Sequence, residues 1–127
     1  MSAPTWTIEQ WVEHGRAWRS LGWAPSSGSW GSILIGRRGD YTSEHGASLR
    51  PDGTVYSDYF VEWVPDMRDP GTRGHALALV REAWGDEFAQ AIHDGSGWRL
   101  VGALEYRGLY GFPSEAVALL AAREAAA

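Results

Sequence analysis

Three runs of strand-forming residues, separated only by turn signals, stand between two stretches of helical periodicity, and this order confines the chain to an α+β fold. The first run, Gly31 to Arg37, is apolar and β-branched at its centre (Ile33, Leu34, Ile35). Arg38-Gly39-Asp40 turns the chain into the second run, Tyr41 to Arg50. Pro51-Asp52-Gly53 turns it again, because proline presets φ and glycine accepts a positive φ. The third run, Thr54 to Val64, carries Val55, Ser57, Tyr59, Val61 and Trp63 on one face. Tyr56, Asp58, Phe60 and Glu62 lie on the other. These runs predict an antiparallel meander sheet of three to five strands, with two or three helices packed on it.

The helices are delimited by their caps. Thr7-Ile8-Glu9-Gln10 has the form of a capping box, and Ile8, Trp11, Val12, Gly15, Trp18 and Leu21 follow at helical spacing. This predicts a helix over 8–21 that stops near Gly22. Asp69-Pro70 reads as an N-cap followed by proline at the first helical position. Leu77, Val80, Trp84, Phe88 and Ile92 then mark one helical face over 72–93. Gly85-Asp86 can break that helix in two, and a rival reading makes 88–92 a strand hairpinned onto 98–104. Trp98 to Tyr106 reads as a strand, with a short one near 109–112. Ser114 caps a last helix whose apolar stripe is Val117, Leu120 and Ala121. The expected order is α-βββ-α-β(β)-α, in one domain over 1–127.

Several chemistries are excluded by what is missing. The chain has no Cys, so disulfides, thiolate nucleophiles and cysteine-zinc sites are ruled out. Lys is also absent, which removes Schiff-base catalysis, the Walker-A loop and a Ser-Lys dyad. Asn is absent as well, and all 11 cationic side chains are Arg, a bias that fits a GC-rich genome. With 16 carboxylates against 11 Arg, the net charge is −5. That balance disfavours binding to a phosphate backbone and favours a protein partner with a basic surface. The N-terminal stretch lacks the basic start and apolar run of a signal peptide, so a soluble protein in the cytoplasm of a bacterium or a phage-infected host is expected.

No constellation of catalytic or metal-binding residues stands out. His14, His45, His75 and His93 show no i, i+3 or i, i+4 pairing, and no metal or cofactor is expected. Asp58 and Glu62 share a strand face about 13 Å apart, beyond the carboxyl spacing of glycosidases. Gly28-Ser29-Trp30-Gly31 is not a nucleophile elbow. Arg38-Gly39-Asp40 reads as a hairpin turn rather than an adhesion signal. The element order is similar to that of double-stranded-RNA-binding domains and of phage integrase arm-binding domains. The cations of those families have no counterpart here, since Pro113-Ser114-Glu115 opens the last helix.

The candidate surfaces are therefore those of a partner-binding protein. Of eight Trp, Trp11, Trp18, Trp63 and Trp84 fall on periodic apolar faces and are expected in the core. Trp6, Trp23, Trp30 and Trp98 do not. Trp23 and Trp30 sit in a Gly/Ser-rich loop and are either plugs of the core or interface anchors. The polar hairpin tip (Arg37, Arg38, Asp40, Tyr41, His45) and the face Tyr56, Asp58, Phe60, Glu62 complete the set. The expected function is a non-enzymatic protein-binding module, of the kind found in small acidic inhibitors, immunity proteins and anti-defence proteins. Alternatives are a phage virion assembly protein and a small hydrolase or ligand-binding domain using Asp, Glu, His and Arg.

Overall fold

The computed structural model of the protein describes residues 6–23, 33–39, 41–48 and 62–126, with the backbone alone at 33, 41 and 43–48. Among them the element order is α1 (Ile8–Ser20), β1 (Ile33–Arg38), β2 (Tyr41–Ser48), β3 (Glu62–Pro65), α2 (Pro70–Trp84), β4 (Gln90–His93), β5 (Trp98–Val101) and α3 (Glu115–Ala125). The fold is α+β in the order that the sequence implies. The chain divides into two compact units, Trp6–His75 and Ala76–Ala127, with the division inside α2. None of the helices among the described residues is long and apolar enough to cross a membrane.

In the first unit, the capping box of α1 forms as read. Thr7 N donates to Gln10 Oε1 at 2.8 Å, and Gln10 N donates to Thr7 Oγ1 at 3.2 Å. The helix ends in a Schellman motif. Gly22 takes φ 98°, its N–H reaches Arg19 O, and Trp23 N–H reaches Trp18 O at 3.0 Å. That turn folds Trp23 back onto the unit.

The sheet of this unit has strand order β2-β1-β3, all antiparallel, so β1 and not β2 is the central strand of the expected meander. Arg38 faces Tyr41 across a two-residue turn, with Gly39 at φ 57°. Leu34 faces Ala47 while Gly36 faces Ser43, so Glu44 to Gly46 bulge opposite Ile35. Ile35 pairs Val64 and Arg37 pairs Glu62, which places all four on one face. Helix α1 covers that face: Val12, Ile35 and Val64 are buried together, with Ile8 and Trp11 packed against them. The approach is close because position 15 is glycine; a Cβ there would stand 2.7 Å from Val64 Cβ and 2.8 Å from Pro65 O.

In the second unit, α2 stops at a second Schellman motif. Gly85 has φ 64°, its N–H donates to Glu82 O, and Asp86 N–H donates to Arg81 O at 3.0 Å. The helical reading of 85–93 is thus corrected: beyond Gly85 the chain turns and forms β4, paired antiparallel with β5 from Gln90↔Val101 to His93↔Trp98. The two strands form a separate hairpin sheet, and the short run near 109–112 adds a bridge between Trp98 and Phe112. Helix α3 starts at Ser114, whose side chain accepts Val117 N–H. Its buried stripe is Ala116, Ala118, Leu119 and Ala122, displaced from the expected Val117, Leu120 and Ala121. Small alanines admit close packing, and Trp84 uses it, donating Nε1–H to Ala122 O at 2.8 Å.

Candidate functional site

The expected partner-binding residues separate into three groups. Trp30, Asp40, Tyr56, Asp58 and Phe60 lie outside the described residues, and for Tyr41 and His45 only the β2 backbone is described. Trp23, Arg37 and Glu62 turn out to be internal fixtures of the first unit. Trp23 is 2% exposed, with its ring edge against Trp63 and His75 at centroid distances of 6.2 and 5.3 Å. A side chain so buried has no area to offer a partner, so Trp23 belongs to the core.

Glu62 was expected on an open face, and its face is covered by α1 instead. Arg16 grips its carboxylate in a fork, Nε to Oε2 at 2.9 Å and NH2 to Oε1 at 2.8 Å. That fork holds the Glu62 carboxyl below its ordinary range. Arg37 ties the same sheet face to Glu9 on α1. On the adjacent turns of α1, Arg16 also pairs with Glu13, and Arg19 lies over the Trp63 ring at 3.9 Å. Arg38 is exposed at the hairpin end.

His14 is buried on α1. Its Nε2 accepts Trp18 Nε1–H at 3.2 Å, one helical turn on, and the Trp6 and Trp11 rings lie beside it. Burial pushes His14 down to about 4, so it is a neutral acceptor near pH 7. No group of three or more His, Asp or Glu among the described residues is placed to hold a metal.

The surface that stands out lies in the second unit and was not anticipated. Asp86 follows the α2 cap and is buried, 3% exposed as a residue. Its Oδ1 accepts Phe88 N–H at 3.0 Å. Its Oδ2 accepts Leu104 N–H at 3.1 Å and the Tyr106 hydroxyl at 2.6 Å. Gly102 has no side chain for a steric reason: a Cβ there would fall on Asp86 Oδ2 and 3.0 Å from Ala89 Cα. The Tyr106 hydroxyl is the main cause that holds Asp86 low, with the backbone donors adding to it. Burial, then the bond to Asp86, pushes Tyr106 up to about 12. Both groups are committed to each other, so neither is poised as a general base or acid near pH 7.

The consequence of this knot is presentation. Among the backbone amides that Asp86 holds are those of Phe88 and Leu104, which are 64% and 47% exposed. Behind them, Tyr106 rests its ring edge on Trp84 at 4.9 Å, and Trp84 is tied to α3. Two open hollows flank the 102–105 segment. One, of about 480 Å³, is lined by Glu82, Glu87, Phe88 and Ala103; the other, of about 400 Å³, by Leu104, Glu105, Arg107 and Tyr110. Tyr110 and Ile92 add further exposed apolar area. Sequence periodicity placed Phe88 and Ile92 on a buried helix face because the helical spacing runs on past Gly85. Taking Gly85-Asp86 as a complete stop would have left both without a helix to bury them.

Comparison of the chain with protein-family models, with curated proteins and with solved structures finds no match.

Proposed function

We propose that the protein is a non-enzymatic protein-binding module that docks through Phe88 and Leu104. The observation that carries this reading is that two large apolar side chains stand in solvent on backbones fixed by one buried carboxylate. Interface hot spots are rigid apolar anchors, and an anchor already held in place loses little freedom on binding. The surroundings of Phe88 set the partner's charge: Glu82 and Glu87 stand beside it with no ion pair among the described residues, while Glu105 near Leu104 is paired with Arg107, and the chain carries −5 overall. A partner with a basic rim around an apolar patch is complementary. A small acidic protein of this design acts by occlusion, which is the mode of inhibitors, immunity proteins and anti-defence proteins.

The test is a paired truncation. Phe88→Ala and Leu104→Ala should each weaken capture of the partner from native lysate by roughly 30-fold, the effect of a 2 kcal/mol hot spot. Unfolding should stay within about 0.5 kcal/mol of wild type, as for surface positions. Unchanged capture, or a large loss of stability, would refute the proposal.

A further inference from the structure

Among the described residues, the hairpin of the second unit has an open edge. Asp94 N–H donates to Gly97 O at 3.1 Å and closes the turn, which sets the alternation of the ladder. Gln90 and Ile92 then bond to Val101 and Arg99, while Ala91 and His93 direct their N–H and C=O groups away from β5. The cross-strand mates of those two residues agree with this. Trp98 and Leu100 send their N–H groups to the far side, to Phe112 O at 2.8 Å and Leu109 O at 3.0 Å. The next outward carbonyl along β4, that of Ala89, is occupied by Arg81 Nε at 2.8 Å. The outward groups of Ala91 and His93 have no partner among the described residues. The strand carries no proline or charged residue, the usual guards of an edge.

We infer that the β4 edge takes up an extended segment of the partner protein as an added strand, a segment with apolar residues and an Arg or Lys. This rests on the reading of the protein as a protein-binding module. The main-chain groups of Ala91 and His93 supply ladder bonds, and the exposed Phe88 and Ile92 supply apolar contact. The cation follows from Glu82 and Glu87. Both are exposed beside Phe88, and neither forms an ion pair among the described residues. Arg81, which lines the same hollow, is spent on Ala89 O. A second copy of the chain is the poorer occupant. Antiparallel self-pairing of β4 would set the Glu87 end of one copy against the Asp94 end of the other, like charge on like charge.

The experiment selects binders for the full chain from a displayed library of short random peptides. Selected peptides should alternate apolar residues and carry Arg or Lys. Adding one should slow amide exchange at Ala91 and His93. Ala91→Pro deletes an outward N–H without touching the β4–β5 ladder, and should weaken peptide binding by about tenfold or more. His93→Pro does the same at an exposed position and carries the test if Ala91→Pro fails to fold. Glu82→Gln with Glu87→Gln should remove the preference for cationic peptides. Peptides that bind both proline variants as tightly as wild type would overturn the inference, as would an absence of selected peptides. If lysate capture depends on Phe88 but survives both proline variants, the edge inference falls and the module reading stands. If Phe88→Ala and the proline variants all leave capture intact, the module reading falls too. A dimer in light scattering that Ala91→Pro dissociates would assign the edge to a second copy, against the inference.

Discussion

Gly15 and Gly74 offer the same substitution with opposite expected signs. Both are helical glycines, Gly15 in α1 and Gly74 in α2. Replacing glycine by alanine inside a helix gains about 1 kcal/mol from backbone entropy alone. At Gly74 no described atom lies within 4 Å of the added methyl, so Gly74→Ala should stabilise by about 0.5–1 kcal/mol. At Gly15 the methyl would meet Val64 Cβ at 2.7 Å and Pro65 O at 2.8 Å. Carbon atoms pack comfortably at about 3.5–4.0 Å, so the helix must retreat from β3 by close to an ångström. Overpacking of this kind costs about 1–3 kcal/mol. After the helix gain is subtracted, Gly15→Ala should destabilise by up to roughly 2 kcal/mol. Urea unfolding followed by tryptophan fluorescence reads both variants, since Trp18 is fully buried on the same helix as Gly15. Equal stabilisation by both substitutions would refute the close packing of α1 on the sheet.

Three further outcomes follow from the buried polar and aromatic groups. Trp23→Ala should cost roughly 3–5 kcal/mol, read as a lower urea midpoint, because it empties a core site; a neutral result would return Trp23 to the surface. His14 sits at about 4 when folded against 6.5 unfolded, so the unfolded chain takes up the proton first. Its contribution is therefore complete above about pH 6.5 and declines as pH falls towards 4, by at most about 3 kcal/mol. NMR titration of the imidazole should show no protonation near 6.5, and His14→Gln should flatten the decline. Asp86 is depressed when folded, so its contribution is present above the ordinary carboxyl range and is lost as pH falls through its lowered folded value. Tyr106→Phe removes the largest cause of that depression and should shift acid unfolding, followed by near-UV circular dichroism, to higher pH.

Local signals in the sequence carried most of the architecture, because caps and turns are short-range. Thr7 and Gln10, Asp69 and Pro70, Ser114 and the Gly39 turn all act where they were read. What short-range reading could not settle was which face of a strand a helix covers. Glu62 looks like a surface residue by type, yet its face lies under α1, because Arg16 neutralises it and Gly15 lets the helix approach. Two Schellman motifs explain the remaining differences. At Gly22 the motif returns Trp23 to the core, and an apolar residue directly after a helix-ending glycine was the available sign. At Gly85 it ends α2 and leaves Phe88 in solvent, although the helical spacing of apolar residues continues to Ile92. The Asp86 knot depends on Leu104 and Tyr106, 18 and 20 residues along the chain, a separation at which no sequence pattern pairs them.

The most direct measurement is site-specific photo-crosslinking in native lysate. A photoreactive side chain at position 88 should yield one discrete heavier adduct, which Leu104→Asp abolishes. The same group at Glu124, exposed at the end of α3, should yield none. Equal labelling from both positions, or no adduct from position 88, would contradict docking through Phe88 and Leu104.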